Sequence, residues 1–127
     1  MKYLSKAYAY FTISGKNLDI NDFNNYLKIK PTGFGENRFK EKFWDYKIEA
    51  KDANEGLDQS IEKLMKVLNP KSNEIKAYAY KENLYTKIFV VIENKNNENN
   101  GVFFDKVFIK FLNDLGAEIE VDFYNSD

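Results

Sequence analysis

The chain has no cysteine and no histidine. A disulfide framework, a thiolate zinc site, a cysteine nucleophile and a histidine general base are therefore all excluded. Ser-His-Asp chemistry goes with them, and a transition-metal site loses its commonest ligand. Catalysis would have to rest on carboxylates, Lys or Tyr. Arginine is nearly absent too: Arg38 stands alone beside eighteen Lys and sixteen Asn. Lysine lacks the bidentate fork that reads phosphate or guanine. A net charge of −1 gives no general attraction to nucleic acid or an anionic membrane, so neither is an expected partner. No run approaches the roughly 20 apolar residues of a membrane span. The opening MKYLSKAYAYFTIS reads as a strand rather than a signal peptide, and a cytoplasmic location is expected.

Aromatic residues are plentiful. Eleven Phe, nine Tyr and one Trp in 127 residues exceed what one core of this size needs, so some rings should reach the surface. Exposed rings suit interfaces, because they offer large contact area at low rotamer cost. The length fits a single domain over 1–127.

Periodicity predicts the elements. Residues 7–14 alternate Ala7, Ala9, Phe11 and Ile13 against Tyr8, Tyr10 and Thr12, giving a first strand. Asp19 is the expected N-cap of a helix stapled by Leu18 and Phe23, which Pro31 ends by about Lys30. Residues 31–41 read as a loop. Residues 42–50 give a second strand, with Trp44, Tyr46 and Ile48 opposite Asp45, Lys47 and Glu49. The main helix spans 52–69 on Leu57, Ile61, Leu64, Met65 and Leu68. Residues 73–81 fit either a short helix or an extended lead-in. Residues 84–93 form the third strand, apolar on both faces and hence covered on both.

The grammar of the last third is the clearest. Asp105 caps a helix with Phe104 and Ile109 at staple spacing, Phe108, Phe111, Leu112 and Leu115 form its core stripe, and Gly116 ends it. A fourth strand then turns Ile119, Val121 and Phe123 inward and Glu118, Glu120 and Asp122 outward. The expected fold is α+β: a two-layer sandwich of a four-stranded mixed sheet, first and third strands central, with three main helices. The order is β-α-β-α-(α)-β-α-β. The spacing of strands suggests a ferredoxin-like arrangement with an extra helix.

AYFTISG at 9–15, LDINDFNNYLKIKPTG at 18–33, Trp44 and LGAEIEVDFY at 115–124 together resemble the bacterial domain of unknown function family 4279. The similarity spans nearly the whole chain and rests on Pro31-Thr32, Trp44 and Asp122-Phe123-Tyr124; residues 70–83 match less well. Such a family carries no established activity, so the resemblance transfers no catalytic residue. It implies a stand-alone bacterial protein, and, through members near polymorphic-toxin loci, an immunity protein.

Three constellations are candidates. Gly33, Gly35 and Arg38 offer a glycine backbone and a guanidinium for an anion, but without the Lys-Ser end of a P-loop; simple turn glycines are the plainer reading. Glu118, Glu120 and Asp122 line one strand face at steps of roughly 7 Å, as acid–base groups or, more plainly, as charge protecting an edge. Tyr8, Tyr10, Trp44, Tyr46 and Tyr124, with Asp122, form one partner-binding patch if their faces coincide; otherwise the rings pack beneath the helices. The expected function is a non-enzymatic protein-binding module of the immunity type, with no cofactor and no metal, whose partner is another protein such as a cognate toxin. The alternative is a small ligand-binding protein or enzyme using those carboxylates or the Arg38 loop.

Overall fold

The computed structural model describes residues 6–48, 56–95 and 102–126. Strand β1 (Lys6–Gly15) leads to helix α1 (Ile20–Leu27), then strands β2 (Gly33–Glu36) and β3 (Lys42–Lys47). Helix α2 (Leu57–Leu68) passes through a 3-10 turn (Asn69–Lys71) into helix α3 (Ser72–Glu82). Strand β4 (Tyr85–Lys95), helix α4 (Lys106–Leu115) and strand β5 (Glu118–Ser126) follow. The sheet order is β2-β3-β1-β4-β5, antiparallel throughout except for the parallel β4–β5 pair.

The α+β class, the mixed sheet and the central first and third strands are as expected, but the sheet has five strands rather than four. The addition is β2, inside the segment expected to be a loop. GFGE has a single strand-forming side chain, Phe34, between two glycines, and its neighbours hold it. The Thr32 N–H donates to the Asp45 carbonyl at 2.9 Å, and the Thr32 hydroxyl accepts from the Lys47 N–H at 2.9 Å. At the far end, the Asn37 side chain accepts from the N–H groups of Phe39 and Glu41, closing the turn to β3. The ferredoxin-like arrangement is also corrected. That split fold inserts a strand between the two strands of each βαβ unit, whereas β4 and β5 flank α4 as direct neighbours.

The helices begin and stop where local chemistry directs. Asp19 caps α1 by accepting from the Asp22 N–H at 3.0 Å, and Asp105 caps α4 by accepting from the Phe108 N–H at 2.9 Å. Helix α1 ends at Leu27 rather than near Lys30, because Lys28 turns left-handed at φ 61°. Gly116, at φ 67°, ends α4 as expected. The Phe104–Ile109 staple is not formed: Phe104 packs on Phe108 with centroids 5.3 Å apart, and Ile109 faces solvent. The main helix, expected over 52–69, starts at Leu57 behind an extended Gly56 N-cap and ends at Leu68; residues 49–55 lie outside the described residues. The ambiguous 73–81 segment is helical. AYAY is strand at 7–10 and helix at 77–80. In the second setting Ile75, Tyr78 and Ala79 are buried at helical spacing, so packing and not the tetrapeptide decides.

All the main helices lie on one face of the sheet. Ala9, Phe11, Ile13, Trp44, Ile88, Val90 and Ile92 point at them and are buried, meeting Phe23, Leu64, Phe108 and Leu115. Ser60 on α2 accepts from the Ala9 N–H at 2.9 Å, supplying a buried partner just beyond the end of the β1–β3 ladder. The layer stops short of β5: Ile119 and Phe123 lie on the helix side but remain 36% and 55% exposed.

Candidate partner-binding face

The alternate residues of the same strands form a face that none of the described helices covers. Register brings them together. Tyr10 stands opposite Lys47 on β3 and Phe89 on β4; Thr12 stands opposite Asp45 and Lys87. Phe89 is level with Glu120, and Val91 with Asp122. The rings stack in a row. Tyr10 and Phe89 have centroids 5.0 Å apart and planes 15° apart, and Tyr8 follows at 6.5 Å from Tyr10. Lys47 Nζ sits 4.3 Å above the Tyr8 ring and Lys87 Nζ 5.3 Å above Phe89, both within cation–π range. The third strand was expected to be covered on both faces; on this one no described helix lies over it, Phe89 is half-buried against Tyr10, Val91 is buried and Tyr85 is 65% exposed.

Beside the rings lies a shallow hollow of about 300 Å³ lined by Tyr8, Tyr10, Thr32, Gly33, Asp45 and Lys47. Asp45 is half-buried there and accepts a hydrogen bond from the Thr12 hydroxyl. Burial raises the Asp45 pKa, and the Thr12 bond opposes that shift. The Tyr10 phenol is pushed up to about 12, first by burial and then by the charges of Asp45, Tyr8, Asp122 and Glu120. Acid from β3 and from β5 thus converges on one ring. Among the described side chains this face carries five carboxylates (Asp45, Glu93, Glu118, Glu120, Asp122) and two ammonium groups (Lys47, Lys87). Among these described groups, Lys87–Glu120, at 3.2 Å, is the one ion pair.

The expected patch is divided by the sheet. Tyr8, Tyr10, Asp122 and Tyr124 share the open face, and Tyr124 is 54% exposed. Trp44 and Tyr46 point the other way. Trp44 is fully buried against Phe11 and Phe23, and its indole N–H donates to Asn24 Oδ1 at 2.6 Å, so it belongs to the core and not to a surface. Phe89, Asp45 and Lys47 are the face residues that pattern reading left out. Their signal is a cross-strand one: each is a lateral or diagonal neighbour of Tyr10.

The glycine–arginine constellation takes no nest geometry. Gly33 and Gly35 are extended ladder residues of β2, neither at positive φ. Their bareness has a packing reason, since a Cβ on Gly35 would come within 3.1 Å of the Phe43 ring. Arg38 lies exposed in the following turn, its guanidinium 4.8 Å over Phe39. Glu118, Glu120 and Asp122 do share a face. Among the described residues, no group of three or more His, Cys, Asp or Glu side chains is placed to hold a metal ion. No helix among them is long and apolar enough to cross a membrane.

No curated protein and no solved structure matches the chain. The family model described as "Domain of unknown function (DUF4279)" matches residues 5–126. That span takes in every described strand and helix, and with it the stacked rings and carboxylates of the open face. The chain therefore belongs to the DUF4279 family.

Proposed function

We propose that this protein is a non-enzymatic binding module of the immunity type, which neutralises a basic partner protein by covering it with the open sheet face. The observation that carries the reading is the one-sided sheet. The described helices cover one face, while the other presents the row Tyr8–Tyr10–Phe89 beside carboxylates that outnumber the ammonium groups among the described side chains. Stacked rings supply hot-spot area. Unpaired carboxylates attract a cationic surface and speed its encounter. Glu118 and Asp122 have no ion-pair partner among the described residues, so they are available to a partner's Lys or Arg.

Co-expression with the product of the adjacent reading frame tests this. A one-to-one complex that restores growth is expected, and Tyr10→Ala or the pair Glu120→Lys/Asp122→Lys should weaken it at least tenfold. Protection that survives these changes unaltered would sink the proposal. The hollow at Asp45 favours a second reading, a small-ligand site on the same face. A thermal shift with small cations that is lost in Asp45→Asn would support it.

A further inference from the structure

The sheet has two edges, and they are guarded in different ways. Strand β2 is four residues long, follows Pro31 and carries two glycines. Strand β5 is nine residues long and pairs with β4 without a bulge from Lys87↔Glu118 to Lys95↔Ser126. Among the described residues, no strand lies on its other side. Alternate residues therefore direct their N–H and C=O groups outward with no ladder partner. Natural edges are blunted by proline, by charged side chains, by bulges or by a covering element; β5 has the charge, in its acidic row, which repels a like-charged strand and admits a basic one. EIEVDFYNS has no proline and no lysine, and the helix layer leaves Ile119 and Phe123 exposed.

The side chains of β5 state what kind of strand it could accept. Its open-face row is Glu118, Glu120 and Asp122; its helix-side row is Ile119, Val121 and Phe123. A second copy is a poor match wherever the acidic row overlaps itself; only an axis at Phe123 or beyond avoids this, and at Phe123 it pairs no more than residues 120–126. A two-fold axis normal to the sheet pairs open-face residues with open-face residues. With the axis at Val121, Glu120 meets Asp122. At Glu120 or Asp122, a carboxylate meets its own copy. Like charges directly opposite are destabilising. A cation suits the same position, as Lys87 on the inner side of Glu120 already shows at 3.2 Å.

We propose that β5 is a strand-addition edge for a partner segment that alternates basic with apolar residues. Its Lys or Arg residues lie opposite Glu118, Glu120 and Asp122, and its apolar residues lie beside Ile119, Val121 and Phe123. Main-chain hydrogen bonds give affinity in this mode, and the alternating side chains give specificity. The inference rests on the reading of the open face as a protein-binding face, and it names how that partner is held.

The probe is a blocked peptide, Lys-Val-Lys-Val-Lys-Phe-Lys, titrated into the isotope-labelled protein, with Glu-Val-Glu-Val-Glu-Phe-Glu as control. Saturable binding of the basic peptide is expected, with amide exchange in β5 slowed at least tenfold at alternate positions and no effect of the acidic one. The pair Glu120→Lys/Asp122→Lys should invert the preference, and Phe123→Lys, at an exposed site, should weaken binding without altering the fold. The proposal is overturned by no binding at millimolar peptide, or by shifts confined to Tyr10 and Phe89 with β5 exchange unchanged. It is overturned equally by a concentration-dependent dimer that Phe123→Lys dissolves. If the peptide fails while Tyr10→Ala still weakens the natural complex, the face reading stands and the edge reading alone falls.

Discussion

The two faces of this sheet come from the same strands, yet they are held in different ways. On the covered face, Phe11, Trp44, Ile88 and Val90 are removed from water by the helices, and stability there scales with buried apolar area. On the open face, Tyr8, Tyr10 and Phe89 shelter only one another, with Lys47 and Lys87 laid across them. Burial by a second layer can specify a fold. Lateral stacking leaves surface that another molecule can still cover.

That contrast can be broken or sharpened by substitution. Trp44→Ala should cost about 3–5 kcal/mol in urea unfolding, because it opens a core cavity and orphans Asn24. A loss below 1 kcal/mol would erase the distinction between the faces. Ser60→Ala should cost about 1–3 kcal/mol by leaving the buried Ala9 N–H unpaired. On the open face, a double-mutant cycle of Tyr10→Ala and Phe89→Ala should give a coupling of only about 0.5–1.5 kcal/mol.

Alkaline titration separates the faces in another way. The folded Tyr10 phenol, pushed up to about 12, titrates above the ordinary tyrosine value of about 10. Between those values the native state holds a proton that the unfolded chain has lost. Stability should thus be full below pH 10 and fall as pH rises towards 12. Tyr78, raised by burial and by its bond to Asp22, adds to the same fall from the covered side. Tyr10→Phe should flatten the open-face part of the slope and leave that of Tyr78. The smallest effect belongs to Lys87→Gln, which removes a surface ion pair worth about 0–1 kcal/mol and should be nearly silent in thermal unfolding.

The covered face was legible in sequence wherever a period and a stop coincide. Asp105, the stripe Phe108–Phe111–Leu115 and Gly116 define α4 without help from the rest of the chain. Strand β2 was not legible, since its strand state is imposed by Thr32, Asn37 and pairing with β3. The division of the aromatic patch was hidden for a reason of parity. Alternation puts Trp44 with Tyr46, and Tyr8 with Tyr10, but only the pairing Tyr10↔Lys47 decides which pairs share a face. A slip of one residue would have put Trp44 beside the tyrosines in place of Asp45. The acidic row of β5 could be read directly, while its place at an edge depended on strand order.

The central position of β1 also bears on how fast the protein folds. The strand nearest the start of the chain takes its antiparallel partner from β4, which begins only at Tyr85, so the middle of the sheet closes across most of the sequence. Chains dominated by such distant pairings fold on millisecond-to-second timescales, because loop-closure entropy is lost before the contacts form. Until β4 arrives, the row Ala9, Phe11 and Ile13 has no strand on that side, and the nascent chain is exposed to mispairing for that interval.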